Sequence, residues 1–110
     1  MRQFNKKYIL GDWVVGTTAA GTTAATATTL TADNVWVDVV TSTNNGVILK
    51  AFSAGETKSV INADSTDDLN VYPPSGASFN GETADLPVVL PSGRAAWFLS
   101  LTPTKIAAFF

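Results

Sequence analysis

The hydrophobic positions of this chain repeat with a period of two. Along residues 34–40 (NVWVDVV), Val35, Val37 and Val39 share one face, and Trp36, Asp38 and Val40 share the other. That alternation belongs to a strand, and β-branched and aromatic side chains suit its pleated surface. Asn44-Asn45-Gly46 follows. Asn-Gly is the strongest short hairpin signal, because a type I′ turn needs positive φ at both central residues. The spacing therefore predicts a hairpin in which residues 47–52 return against 34–40.

The remaining segments read as short strands set apart by turn chemistry. Residues 7–15 form an extended segment with an irregularity at Gly11, and the Thr/Ala-rich stretch 22–31 an extended strand or polar arm. Ser53-Ala54-Gly55-Glu56 is a turn before a strand at 57–62, and 63–68 is a polar loop before a strand at 69–72. Pro73-Pro74-Ser75-Gly76 ends that strand, since proline cannot donate to a ladder. Strands at 86–90 and 94–101 flank Pro91-Ser92-Gly93, which reads as a second hairpin turn, and 105–110 is a last strand.

Strands recurring every 8–12 residues predict an all-β fold, an antiparallel β-sandwich or small barrel of about 8 short strands. The Ala/Thr run at 17–32 is too rich in Thr to favour a helix. No internal repeat of 20–50 residues is evident, which argues against a solenoid. Residues 1–21 read as an N-terminal extended arm and 22–110 as a single β-domain.

Composition narrows the chemistry. Among 110 residues there is no Cys and no His, which removes disulfides, thiolate metal sites and the usual general base. Thr (15), Ala (15) and Val (11) take their place, and 45% of residues are hydrophobic, enough to build a core. A net charge of −2 with a pI near 4.7 disfavours nucleic-acid binding, which needs clustered cations. The one basic cluster, Arg2, Lys6 and Lys7, reads as a solvated terminus or a short arm on an acidic partner. No apolar run is long enough to span a membrane, and Tyr8-Ile9-Leu10 breaks at Gly11-Asp12, too early for a signal peptide.

Candidate chemical motifs are weak. Most carboxylates fall in predicted turns, where they serve the backbone. Asp38 alone lies mid-strand beside Trp36, so a glycan-active Asp pair is the least favoured reading. Asp64-Ser65-Thr66-Asp67-Asp68 lacks the spacing and glycine of a calcium loop. Gly11, Gly16 and Gly21 are not followed by the Lys of a phosphate cradle. No cofactor and no metal are expected.

The apolar chain end is more informative. In residues 94–101, Trp97, Leu99 and Leu101 fall on one face and Ala96 and Phe98 on the other, with Ser100 the single polar interruption. Residues 106–110 (IAAFF) end on two aromatics. Two strands with so little polar surface are either central in a monomer, or a homo-oligomer interface or docking tail.

Residues 26–40 (TATTLTADNVWVDVV), 46–49 (GVIL), 60–62 (VIN) and 69–81 (LNVYPPSGASFNG) follow one another in an order that resembles a group of small all-β virion proteins of tailed phages. The pieces 88–90 (VVL) and 93–98 (GRAAWF) fit the later strands of that pattern. The resemblance implies a non-enzymatic structural protein, either a capsid decoration (cement) protein or a fibre-associated β-domain, commonly trimeric. A chain of this length without repeated shaft sequence favours decoration. The expected partners are further copies of this chain, as a trimer, and the major capsid protein, with no nucleic acid and no membrane. The expected location is the capsid surface of the virion, after synthesis in the host cytoplasm. Assembly is expected to fall on Phe4, Tyr8, Trp97, Leu99, Ile106, Phe109 and Phe110. The alternative is a tail-fibre or carbohydrate-binding domain, with Trp36, Tyr72 and Trp13 as stacking residues.

Overall fold

A computed structural model describes residues 11–110, and among these the fold is all-β. Ten strands run in the order β1 (Trp13–Ala19), β2 (Thr28–Thr29), β3 (Asn34–Val40), β4 (Gly46–Ile48), β5 (Thr57–Asn62), β6 (Leu69–Tyr72), β7 (Ser78–Phe79), β8 (Val88–Leu90), β9 (Ala95–Thr102) and β10 (Lys105–Phe109). They form a six-stranded sheet, β1-β3-β5-β9-β10-β7, and a four-stranded sheet, β2-β4-β6-β8. Since no described residue is helical, no described helix is long and apolar enough to cross a membrane.

Both sheets are mixed, and the arrangement is solenoid-like, which corrects the expected antiparallel sandwich or barrel. The chain passes from the large sheet to the small one and back, so β1, β3 and β5 stack in parallel while β2, β4 and β6 do the same opposite them. Trp13, Asn34 and Ser59 lie side by side in register, as do Thr28, Val47 and Val71. Each coil thus takes roughly 20–25 residues, within the range of solenoid repeats. The coils share a path but few side chains, so the repeat is one of backbone rather than of sequence. After β6 the pattern reverses: β8 runs antiparallel to β6, and β9 antiparallel to β5 and β10.

Both predicted hairpins are absent for one reason, that each turn carries the chain between sheets instead of back along one. β3 and β4 lie in different sheets, as do β8 and β9. In the first turn the left-handed residue is Asn44, and the Asn45 side-chain oxygen accepts from the Ser42 backbone N–H at 2.7 Å and its hydroxyl at 2.8 Å. Gly46 opens β4 and is glycine for a different purpose: a Cβ there would meet the Tyr72 ring at 2.7 Å and the Asn70 carbonyl oxygen at 2.9 Å. In the second turn Gly93 donates its N–H to the Asn62 carbonyl at 2.8 Å, holding the corner to β5.

The core lies between the sheets. Val35, Val37, Val60, Ala96 and Phe98 of the large sheet face Val47, Leu69, Val71 and Leu90 of the small one, all buried. Phe79 and Phe98 pack with ring centroids 5.1 Å apart, within the range of favourable aromatic pairs. Fully buried Asn62 is satisfied where coils meet: its amide donates to the Asp67 and Leu90 carbonyls at 2.9 and 3.0 Å, and its oxygen accepts from the Asp64 N–H at 3.1 Å.

Trp13–Ala19, within the segment read as an arm, pair along the edge of the large sheet as β1. The β1–β3 register is broken twice in compensating directions. Val15 and Gly16 together oppose Trp36, and then Asp38 of β3 has no counterpart between Thr17 and Thr18. The second irregularity reverses the alternation at the end of β3, so Val39 is exposed and Val40 is buried beside Ala19.

Candidate functional site

The outer face of the large sheet carries the unusual chemistry. Registered pairing aligns Trp13, Asn34, Ser59, Trp97 and Phe109 across β1, β3, β5, β9 and β10. Paired residues share a face, and each strand shows that face every second residue. The inner neighbours Val35, Val60, Ala96 and Ala108 face the core, which puts the row on the other face of the sheet. Its middle members Asn34 and Ser59 are themselves buried, the Ser59 hydroxyl donating to the Asn34 side-chain oxygen at 2.7 Å.

On β9 and β10 this face is apolar and uncovered. Trp97 is 65% exposed and sits directly opposite Phe109. Leu101 and Phe109 are also exposed, and Leu99 is half-buried. Beside them a shallow cleft is lined by Ser78, Asn80, Leu101, Lys105 and Ala107. Ser100, the polar residue within the β9 alternation, points the other way: it is buried with Ala96 and Phe98, its hydroxyl donating to the Thr102 carbonyl at 2.8 Å.

The expected assembly residues therefore divide. Trp97, Leu99 and Phe109 share one surface region, and Phe110 is exposed one residue beyond the end of β10. Ile106, at 2% exposure, is a core residue, because β10 alternates as β9 does and Ile106 falls on its inner side opposite Ser100. Phe4 and Tyr8 lie outside the described residues. Leu101 belongs to the surface although the expected set omitted it; the alternation that selected Trp97 and Leu99 extends to it.

The Asn80-Gly81 end of the 69–81 block holds this surface in position. Asn80, in left-handed conformation at φ 50°, donates its amide to the Ala108 carbonyl at 3.1 Å and accepts from the Ala108 N–H at 2.8 Å. β7 meanwhile pairs with β10. The block's two prolines, Pro73 and Pro74, fall where the chain leaves β6.

The stacking candidates also divide. Tyr72 is buried, and its hydroxyl donates to the Thr22 carbonyl at 3.1 Å; its ring lies over Gly46, so it presents no face to a ligand. Trp13 and Trp36, 50% and 41% exposed, lie on neighbouring strands of the outer face.

Four of the carboxylates are engaged structurally. Asp64 accepts from the backbone N–H groups of Asp67 at 2.8 Å, Val40 at 3.0 Å and Thr66 at 3.0 Å, and these donors hold its pKa down at about 2. The acidic run is thus a backbone-organising turn, and among the described residues no group of three or more acidic side chains is placed to hold a metal ion. Asp33 pairs with Lys58 at 2.7 Å, which lowers its pKa. Asp85 accepts from the Gly76 N–H, and Glu56 from the Ser53 N–H, each at 2.7 Å. A second cleft, at the open β1–β2 end, is lined by threonines, Val14, Leu30, Ala32 and Val35, without a titratable group.

Compared with family models, with curated proteins and with solved structures, the chain finds no match.

Proposed function

We propose that this chain is a non-enzymatic structural protein of a tailed-phage particle, a capsid decoration (cement) protein. In this reading three copies associate through the outer face of β9 and β10, and the trimer binds the capsid exterior. The observation that carries the reading is the uncovered group Trp97, Leu101 and Phe109. Burying apolar surface yields roughly 25 cal/mol per Å², and contiguous exposed apolar residues of this size mark a partner.

The supports beneath the row favour assembly over accident. Asn80 fixes β10 through two hydrogen bonds, and Phe98, Ile106 and Ala108 anchor the inner side of the same strands. The apolar side chains are thereby held on a stiff, paired backbone, which lowers the entropy lost on docking. Trimeric association multiplies modest contacts to the shell through effective concentration. The resemblance of the 69–81 block to phage virion proteins supplies the biological setting.

The direct test is pelleting with undecorated capsids of the phage whose genome encodes the chain. Saturable co-sedimentation, with capsids that withstand higher temperature once coated, is the expected result. Recovery of the protein in the supernatant at every capsid concentration would overturn the proposal.

A further inference from the structure

The β1–β3 side of the outer face differs in kind from the assembly row, and we infer that it is a binding site for a neutral hexopyranose chain. Trp13 and Phe109 are four inter-strand steps apart, about 19 Å, so the inference stands apart from the assembly reading. Trp13 pairs with Asn34, and Trp36 lies two residues further along the same strand on the same face. Their attachment points are therefore about 8 Å apart, and both indoles are about half exposed.

The compensating register breaks make this more than a pair of surface aromatics. Two opposed irregularities fall side by side, one at Val15-Gly16 and the other at Asp38. Bulges concentrate where a strand must re-aim a side chain. Gly16, at φ 81°, has no side chain to fill the space. A Cβ there would approach only the Asp38 carboxylate, whose Oδ2 would lie 3.8 Å away. Gly16 thus leaves open space across from Trp36, with the solvent-exposed carboxylate of Asp38 next to it and exposed Val15 alongside.

A pyranose ring matches this chemistry. Its C–H face is apolar and packs against the electron-rich face of an indole, while its hydroxyls donate to a carboxylate in a charge-assisted bond. Two half-exposed indoles with one exposed carboxylate along the same strand make an aromatic surface with few polar groups, the composition of a sugar site. Asp38 also selects charge: a uronic acid or a nucleic-acid phosphate would bring a second negative group against it. A neutral sugar meets no such repulsion.

The test titrates the full chain with maltoheptaose, cellohexaose and chitohexaose, followed by tryptophan fluorescence and by affinity electrophoresis in the corresponding polysaccharides. Saturable binding to at least one is expected, with Kd of about 1 mM or tighter. Trp36→Ala and Trp13→Ala should each weaken it about tenfold, and Asp38→Asn several-fold. Val89→Ser, on the other sheet, should leave it unchanged. Asp38 is exposed, so its variant keeps the test valid if a tryptophan variant misfolds. No saturable binding to any of the three sugars would overturn the inference. So would binding unaltered in a folded Trp36→Ala or Asp38→Asn variant. Capsid pelleting and trimer formation are unaffected by either result, which separates this outcome from that of the assembly proposal.

Discussion

The Lys58 ammonium, 4% exposed on β5, sits 2.7 Å from a carboxylate oxygen of Asp33 at the rim of the sheet. The same ammonium lies 5.2 Å from the centre of the Phe52 ring. Lys58 falls on the inner face of its strand, in register with Phe98 and between residues that read as ordinary alternation. The pair is asymmetric, because Asp33 keeps 40% of its side chain exposed while Lys58 does not. Removing the acid strands a buried charge, whereas removing the base leaves a solvated one. Asp33→Asn should therefore destabilise by about 2 kcal/mol, after allowance for solvent screening at Asp33. Lys58→Met should cost about 1 kcal/mol or less. Urea unfolding of the two variants beside the wild type measures the difference, and equal losses would contradict this account.

Acid should weaken the fold through Asp64. Its pKa in the folded chain is about 2 against an ordinary 3.8, so the unfolded chain takes up the proton first as pH falls. The contribution is complete above 3.8 and is lost between there and about 2. Asp33, also lowered, acts in the same direction. The thermal midpoint of the wild type should thus fall more steeply across this window than that of Asp64→Asn, which has no carboxylate to protonate.

Asn62 makes three hydrogen bonds at zero exposure. Asn62→Leu would leave the Asp67 and Leu90 carbonyls and the Asp64 N–H unpaired beside the core, at about 1–3 kcal/mol for each group that water cannot reach. A fall in the urea midpoint larger than that of any surface variant is expected, together with faster amide exchange in residues 62–67.

Gly46→Ala should destabilise by about 1–3 kcal/mol, since the added methyl meets backbone as well as the Tyr72 ring. If Tyr72 alone were the obstacle, Tyr72→Ala would relieve the clash in the double variant. The Asn70 carbonyl at 2.9 Å predicts only partial relief, readable in a double-mutant cycle of unfolding free energies.

Local elements were legible because period two and turn residues are local signals. The strands at 34–40, 57–62 and 69–72 appear at those positions, and the inward and outward sides of residues 95–101 follow from the alternation. Topology was not legible. Asn45-Gly46 has the composition of a two-residue hairpin, but Asn45 spends its side chain on Ser42 and Gly46 makes room for Tyr72. The stacked coils leave only a faint trace, valines at 14, 35 and 60 in register, because a parallel stack requires a repeated path rather than repeated residues. The core position of Ile106 is not legible, because IAAFF is apolar on both faces and nothing in the segment marks which side is inside. The paired irregularities at Gly16 and Asp38 leave a single hint, the glycine within an otherwise β-branched run.

Sedimentation equilibrium decides whether copies of this chain meet through the outer face of β9 and β10. The full chain should sediment as a trimer at micromolar concentration. A Trp97→Ser/Phe109→Ser variant should sediment as a monomer with unchanged β-sheet circular dichroism, because both side chains are exposed in the single chain. A wild-type monomer, or a trimer that persists in the folded double variant, would contradict the account.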